Sequence, residues 1–333
     1  MLKGSAEATA STDADSAKER RRRFIASPCY ASSIAKRVQK FRYREYERLP
    51  AQSHNSLMTS LLSSGRTLGI VGAGVMGVTI LRGLLDAGLV TRRQVWATAK
   101  TEATCEEVAK GLEVETGTDA SAFLADAEIV VLCVKPKQVE TVVRSLREGG
   151  LREDALVVTI LAGVTTERLQ SLLDSDNPVV RAMTNTPCVV GQGMTAVCGG
   201  RTATREHVET AQRMFAAVGR CVATDESYFN AITAIAGSGP AYVYLMLEAF
   251  ADAGVNVGLP RDLAIELVAQ TMLGATKMVQ ETGRHPAALR DDVTTPAGCT
   301  IAGLLVMEDG KVRSVLARAV EEATRIVGNL GKS

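Results

Sequence analysis

Short apolar runs alternate with longer amphipathic stretches along residues 66–225. The runs have the length of β-strands, and the stretches between them, such as residues 204–217, carry apolar side chains at helical spacing. Regular alternation of strand and helix predicts a parallel, doubly wound sheet with helices on both faces. We therefore predict an α/β domain with strands at Leu68–Val71, Gln94–Thr98, Val114, Ile129–Val134, Ala155–Leu161, Pro178–Met183, Met194–Cys198 and Gly219–Ala223.

The pattern changes after Asp225, where strand-like runs end and long helical stretches follow at residues 226–253, 260–281 and 311–329. Within these stretches, Ala241–Phe250 and Leu263–Met272 carry few charges. A helix that is apolar around most of its circumference has to be buried in a core or against another subunit. We predict a Rossmann-type domain over residues 66–225, followed by an all-helical dimerisation and substrate domain over residues 226–333 and an intertwined homodimer.

Residues 1–65 precede the predicted fold, and residues 1–57 of this extension show no useful hydrophobic period. Residues 1–57 contain twelve Lys or Arg against six Asp or Glu, including the run Arg20–Arg23. This composition predicts a disordered extension, with an organelle-targeting peptide or a native start at Met58 as alternatives. The expected location is therefore the cytoplasm, or the mitochondrion if the extension is a transit peptide.

Charge, hydrophobic runs and cysteine content argue against a nucleic-acid-binding, membrane-spanning or metal-binding protein. After residue 57 the chain has 26 basic and 31 acidic residues (38 − 12 and 37 − 6), so this part is mildly acidic and does not favour nucleic-acid binding. No run reaches the ~18 apolar residues of a membrane span. The seven cysteines form no C-x-x-C pair and only three histidines accompany them, which predicts a reducing compartment and no metal site.

A glycine-rich turn follows the first predicted strand directly, with the sequence Gly72-Ala73-Gly74-Val75-Met76-Gly77. In a dinucleotide-binding turn the first glycine permits the tight bend, the second lets the pyrophosphate approach the backbone, and the third lets helix and strand pack closely. The phosphates then meet the N–H groups of the helix start. Because a strand precedes the motif and a helix and second strand follow, we predict that all six residues bind a dinucleotide.

The end of the second strand selects between the two nicotinamide cofactors. A site specific for NAD places an acidic residue there to bind the ribose 2′-hydroxyl. The sequence of this chain at that point is Thr98-Ala99-Lys100-Thr101, with no acidic residue before Glu102. Thr98 and Lys100, with Thr101, are suited to a 2′-phosphate. We predict NADPH as the preferred cofactor, with NADH as the alternative.

Two further segments carry candidate site residues. The strands that end at Val134-Lys135-Pro136, at Ala162 and before Asn185 bring small and polar residues to the edge of the sheet where ligands bind. Further along, the segment from Asp291 to Thr300 places a proline and small residues before a helix that starts near Cys299. Free N–H groups at such a start suit a carboxylate, and Thr300 adds a hydroxyl. An ordinary loop between two helices is the alternative for this segment.

Together these motifs resemble the pyrroline-5-carboxylate reductase family over residues 66–330. The resemblance also includes Gly237-Ser238-Gly239-Pro240-Ala241-Tyr242 and Gly258-Leu259-Pro260, in the family's order. It implies hydride transfer from NAD(P)H to the C=N bond of 1-pyrroline-5-carboxylate, giving L-proline in the last step of proline biosynthesis. It also implies a Rossmann domain, a helical dimerisation domain and dimers that assemble into decamers.

The resemblance assigns the site residues as follows. The substrate carboxylate is expected on the loop that contains Val293, Thr295, Gly298 and Cys299, with the Thr300 hydroxyl hydrogen-bonded to the ring nitrogen as the catalytic group. Val134, Lys135, Pro136, Ala162 and Asn185 are expected at the cofactor.

Two other functions remain as alternatives to the interpretation as a pyrroline-5-carboxylate reductase. A β-hydroxyacid dehydrogenase shares the two-domain plan but resembles its relatives in using a catalytic lysine early in the helical domain, and this chain has no lysine between Lys137 and Lys277. A non-catalytic NADP-binding protein is the second alternative.

Overall fold

A computed structural model of the chain describes residues 60–330, and the extension predicted at residues 1–65 falls almost entirely outside them. The described residues form an eight-stranded sheet and a following set of helices. The spatial order of the strands is β3-β2-β1-β4-β5-β6-β7-β8. Their bounds are β1 Thr67–Val71, β2 Val95–Thr98, β3 Glu115–Gly117, β4 Ala127–Leu132, β5 Leu156–Thr159, β6 Val179–Met183, β7 Gly193–Gly199 and β8 Gly219–Ala223.

Five α-helices connect the strands in the first half and cover both faces of the sheet. They are α1 Val75–Asp86, α2 Glu102–Leu112, α3 Val139–Glu148, α4 Thr166–Leu173 and α5 Arg205–Ala216. Buried side chains from β1, α1 and α5 form one core, and buried side chains from β4, α3 and α4 form a second. The reversal of strand order at β1 and β4 creates the crevice in which doubly wound sheets bind ligands.

Two strands, β7 and β8, depart from the all-parallel sheet that the sequence predicts. β7 runs antiparallel to β6, and β8 is parallel to β7. The connection between β6 and β7, residues 184–192, is shorter than the roughly dozen residues that a parallel crossover needs. It contains a 3₁₀ turn at Thr186–Val190 and turns back at Gly191, whose φ of 68° is left-handed.

The chain's single tryptophan is buried in the first half. Trp96 on β2 is 2% exposed and stacks on Phe123 with ring centroids 5.2 Å apart. Its ring covers Gly69 of β1, where an added Cβ would lie 2.0 Å from the indole carbon Cζ2. Any side chain at Gly69 would therefore displace the tryptophan. Trp96 is a natural fluorescent probe of the folded state.

The second half is helical, as the sequence predicts, with no strand after Ala223 among residues 60–330. A short helix is followed by a π-helical segment and then by five further helices. In chain order these seven elements are α6 Phe229–Ile232, the π segment Thr233–Gly237, α7 Gly239–Asn256, α8 Arg261–Thr282, α9 Pro286–Asp292, α10 Cys299–Asp309 and α11 Val312–Leu330. α7 packs on α8, whereas α11 packs on α6 and the π segment.

The helical half exposes apolar side chains on a scale that a soluble monomer rarely tolerates. Leu245 on α7, Leu267 on α8 and Val306 on α10 are 65%, 48% and 71% exposed in the single chain. Surfaces of this kind are typical of obligate interfaces between subunits. In residues 60–330, no helix combines the length and apolarity that crossing a membrane requires.

Candidate active site

The glycine turn is held between the ends of two strands. The amides of Gly72 and Ala73 both donate to the carbonyl of Thr98, at 3.0 and 2.7 Å. Gly72 has a φ of 103°, a conformation that L-residues with a Cβ rarely adopt. An added Cβ would also lie 2.9 Å from the carbonyl carbon of Cys133. Glycine at position 72 is therefore required by both conformation and space.

The other two glycines of the turn have different surroundings. A Cβ on Gly77 would lie 2.4 Å from the carbonyl oxygen of Gly72, whereas a Cβ on Gly74 would meet nothing within 4 Å. Gly74 is the N-cap of α1, and neither a capping side chain nor an acidic residue occupies the first turn. The N–H groups at the positive end of the helix dipole thus face open space beside Gly74. This arrangement fits a pyrophosphate.

These surroundings predict different outcomes for two alanine substitutions. We expect Gly74→Ala to leave the melting temperature unchanged but to raise the NADPH dissociation constant by tenfold or more, because the new methyl occupies the space of the pyrophosphate. Gly77→Ala should lower both stability and affinity, because its methyl collides with the protein backbone. Thermal melts and NADPH titration of both purified variants measure this. Unchanged affinity in Gly74→Ala would contradict the assignment.

At the end of β2, the predicted cofactor residues differ in exposure, with Lys100 and Thr101 exposed and Thr98 buried. Thr98 is 5% exposed, and its carbonyl is occupied by the glycine turn. The Thr101 hydroxyl caps α2 by accepting a hydrogen bond from the amide of Thr104 at 3.3 Å. Lys100 is exposed between them. This part of the site therefore presents the Lys100 ammonium and the Thr101 side chain to solvent, whereas the Thr98 hydroxyl is buried.

The ends of β4 and β5 form the next part of the edge. Lys135 is exposed and Pro136 opens a 3₁₀ turn, while Ala162 is partly buried before Gly163, whose φ is 76°. Burial raises the pKa of the nearby Cys133 thiol to about 12, so this thiol is neutral near pH 7 and is a poor nucleophile.

Asn185 lies at the same edge, but its amide is occupied by the protein. Its side-chain nitrogen donates to the carbonyl of Ala236 at 3.0 Å. Its side-chain oxygen accepts from the amide of Met194 at 2.9 Å. Asn185 therefore links the edge of the sheet to the π segment of the helical half, and contact with the cofactor stays a prediction for this residue.

The predicted substrate loop connects α9 to α10. The Gly298 amide donates to the carbonyl of Thr295 at 3.1 Å, and a Cβ on Gly298 would lie 2.3 Å from the Thr295 hydroxyl oxygen. Gly298 is the N-cap of α10, again without a capping side chain, so Cys299 and Thr300 occupy the first turn. Val293 is 64% exposed at the other end of the loop. The open helix start suits a carboxylate, as the sequence indicates.

An ion pair fixes the entry to this loop. The Arg284 guanidinium lies 2.6 Å from a carboxylate oxygen of Asp292, the last residue of α9. The hydrogen bond from Arg284 lowers the pKa of the Asp292 carboxyl below its ordinary value. Asp292 is therefore ionised at neutral pH and ties the loop to the turn after α8.

A buried ion pair between the two halves was not among the predicted site residues. Arg181 on β6, with its side chain 4% exposed, lies 2.9 Å from a carboxylate oxygen of Glu226 and stacks its guanidinium over Phe229. The same carboxylate accepts from the amide and hydroxyl of Thr166, at 2.9 and 2.6 Å, at the start of α4. An arginine inside the apolar run Val179–Met183 was the available signal, since buried arginines are usually paired.

The chain combines a Rossmann sheet that has an open glycine turn with a helical half that has exposed apolar faces. This combination defines a class of dinucleotide-dependent oxidoreductases whose subunits associate.

Comparison with known proteins supports the same class. Residues 226–330 match the family model for pyrroline-5-carboxylate reductase dimerisation, and residues 67–163 match that for NADP oxidoreductase, coenzyme F420-dependent. The pyrroline-5-carboxylate reductase of Schizosaccharomyces pombe is 38% identical over 79% of this chain and 98% of its own. The chain belongs to the pyrroline-5-carboxylate reductase family.

Solved structures agree with this assignment. A pyrroline-5-carboxylate reductase from Coxiella burnetii superposes with a TM-score of 0.76 at 31% identity, covering 81% of this chain and 100% of that one. The Plasmodium falciparum pyrroline carboxylate reductase, solved with NADP bound, superposes with a TM-score of 0.71 at 28% identity, covering 81% and 100%. The predicted family, fold class and NADP(H)-dependent class of enzyme are confirmed. The two alternative functions receive no support from these relatives.

Proposed function

We propose that this chain reduces the C=N bond of 1-pyrroline-5-carboxylate to give L-proline. The observation that carries the proposal is the presence, in one chain of this family, of an open glycine turn for a dinucleotide and an open start of α10 for a carboxylate. The carbon of a protonated C=N bond is already electrophilic, so the protein has to align the reactants and exclude water rather than supply a strong base. NADPH, when bound, supplies the hydride.

The residues divide into two groups by the part of the reaction they serve. Gly72–Gly77 and Lys100 hold the phosphates of the dinucleotide, and the edge formed by Val134, Lys135, Pro136 and Ala162 holds the nicotinamide end. On the substrate side, the loop from Val293 to Cys299 holds the carboxylate, and the Thr300 hydroxyl orients the ring nitrogen. The neutral Cys133 thiol takes no part.

Turnover with defined substrates tests this function. We expect the purified protein to oxidise NADPH in the presence of 1-pyrroline-5-carboxylate and to be inactive with a panel of 3-hydroxyacids. Turnover of the hydroxyacids alone would establish a dehydrogenase instead. NADPH binding without turnover of either would establish a binding protein.

Lys100 should determine a preference for NADPH over NADH. We expect a higher kcat/KM with NADPH in the wild type, and a loss of about 10–100-fold for Lys100→Glu with NADPH alone, the scale of one charge-assisted hydrogen bond. Lys110→Glu is the matched control, because Lys110 lies in the last turn of α2, far along the helix from the end of β2. Equal losses with both cofactors in Lys100→Glu would show that Lys100 does not bind the 2′-phosphate.

The family's dimerisation domain and the exposed faces of α7, α8 and α10 support self-association. We propose that the dimers assemble further into decamers, which sedimentation at micromolar concentration measures directly. A monomeric mass would contradict even the dimer.

A further inference from the structure

Two sequence motifs that lie in different halves of the chain meet at a single side chain. Met183-Thr184-Asn185-Thr186-Pro187 begins at the last residue of β6, and Gly237-Ser238-Gly239-Pro240-Ala241-Tyr242 begins directly after Ala236, at the end of the π segment, and continues into α7. The hydrogen bond from the Asn185 amide to the Ala236 carbonyl joins them across 51 residues of sequence. The reason for this bond lies in the helix itself.

The Ala236 carbonyl is left without a helical partner by the sequence that follows it. In an α-helix this carbonyl would accept from the amide of residue 240, but Pro240 has no N–H. The next available amide, that of Ala241, donates instead to the carbonyl of Ser238 at 3.0 Å. The helix is π-helical over Thr233–Gly237, with the Ser238 amide bonded to the carbonyl of Thr233 at 2.9 Å. The amide of Asn185 supplies the missing donor.

Packing at the same point leaves little space for the two halves to separate or slide. A Cβ on Gly237 would lie 2.5 Å from the terminal methyl of Met183, the last residue of β6. The Asn185 oxygen meanwhile holds the amide of Met194 on β7. Sheet edge and π segment are thus in van der Waals contact and joined by one side chain, both of whose polar atoms are used.

Helix packing connects this junction to α10, the helix that carries Thr300. The π segment and α6 pack against α11, and α10 packs against α11 in turn. A shift of the π segment relative to the sheet would therefore also displace α11 and, through it, α10. π-helical segments inside α-helices are frequent at functional sites, and here the distortion has an identified role.

We propose that Asn185 is a positioning residue: through the Ala236 carbonyl it sets the helical, substrate-binding half against the nicotinamide edge of the sheet, and it does not bind the cofactor. The inference rests on the proposed reaction. Loss of the hydrogen bond from Asn185 to the Ala236 carbonyl should impair the chemical step, which needs close alignment of the reactants. It should leave binding of the dinucleotide to the Rossmann half unchanged.

Asn185→Asp tests this with minimal change of shape. A carboxylate still accepts from the Met194 amide but cannot donate to the Ala236 carbonyl. We expect a 10–100-fold lower kcat with 1-pyrroline-5-carboxylate, an NADPH dissociation constant within twofold of wild type, and faster hydrogen exchange at residues 233–238 but not at Met194. In Asn185→Ala, exchange should be faster at both places. Gln192→Glu, the same change of amide to carboxylate at an exposed nearby residue, should alter none of these.

A second pair of variants disturbs the junction without changing Asn185, in case its replacement prevents folding. Gly237→Ala should lower kcat with NADPH affinity unchanged, and the double variant with Met183→Ala should recover activity because the shortened side chain removes the collision. A tenfold or greater rise in the NADPH dissociation constant of Asn185→Asp, or exchange at residues 233–238 identical to wild type, would overturn the proposal. If the wild type does not reduce 1-pyrroline-5-carboxylate, the proposed function fails, whereas affinity and exchange still test Asn185.

Discussion

Replacing Thr300 by alanine is expected to lower kcat for the reduction of 1-pyrroline-5-carboxylate by about 10–100-fold, the scale of one hydrogen bond made in the transition state. Thr300 is partly exposed in the first turn of α10, one residue after Cys299, at the open helix start proposed to bind the carboxylate. In the proposed function its hydroxyl orients the ring nitrogen. Steady-state kinetics at saturating NADPH, with substrate varied, measures the change.

Three further measurements test whether the loss of activity in Thr300→Ala comes from its hydroxyl. Thr300→Ser retains the hydroxyl and should keep most of the activity. The NADPH dissociation constant should be unchanged in both variants, because the glycine turn lies on α1 and not on α10. Thr294→Ala removes a hydroxyl from the same loop, but one that already donates to the carbonyl of Arg290 at 2.7 Å, and should affect kcat less. A kcat equal to wild type in Thr300→Ala would exclude the hydroxyl from the reaction.

Removing Glu226 should destabilise the protein more than any single surface change. The Arg181 guanidinium would remain buried without its carboxylate, and breaking one side of a buried pair costs about 3–5 kcal/mol. Two hydrogen bonds from Thr166 would be lost as well. We expect this loss in the free energy of unfolding of Glu226→Ala, measured in urea by the fluorescence of Trp96 at a fixed protein concentration, since dimerisation makes stability depend on concentration.

The comparison variants separate a buried charge from a general effect of mutation. Glu226→Gln keeps the shape and one acceptor and should lose less stability. Glu209→Ala removes one side of the exposed Arg205–Glu209 pair on α5 and should change stability by less than about 1 kcal/mol. Adding Arg181→Met to Glu226→Ala should restore much of the loss, since the unpaired charge is then removed. Equal effects of Glu226→Ala and Glu209→Ala would contradict the role of the buried pair.

The local features of the sequence predicted the local features of the structure. The helix predicted at residues 204–217 and the helix start predicted near Cys299 are confirmed, at Arg205–Ala216 and Cys299, because caps and apolar spacing act within one or two turns. The weak strand predicted at Val114 lies instead at Glu115–Gly117, since a short edge strand is placed by its pairing with β2 rather than by its own pattern. The glycine turn was recognised because its conformational demands lie in consecutive residues.

What the sequence determined by itself was the class of fold, the glycine turn for a dinucleotide and the family, each of which follows from patterns and motifs whose own residues are close together in the chain. The tertiary structure decided the direction of β7 and β8, the burial of Thr98, and the two links between halves, Arg181 with Glu226 and Asn185 with Ala236. Those partners lie 45 and 51 residues apart. A polar side chain shows in its sequence only that it needs a partner, and the fold alone brings that partner within hydrogen-bonding distance.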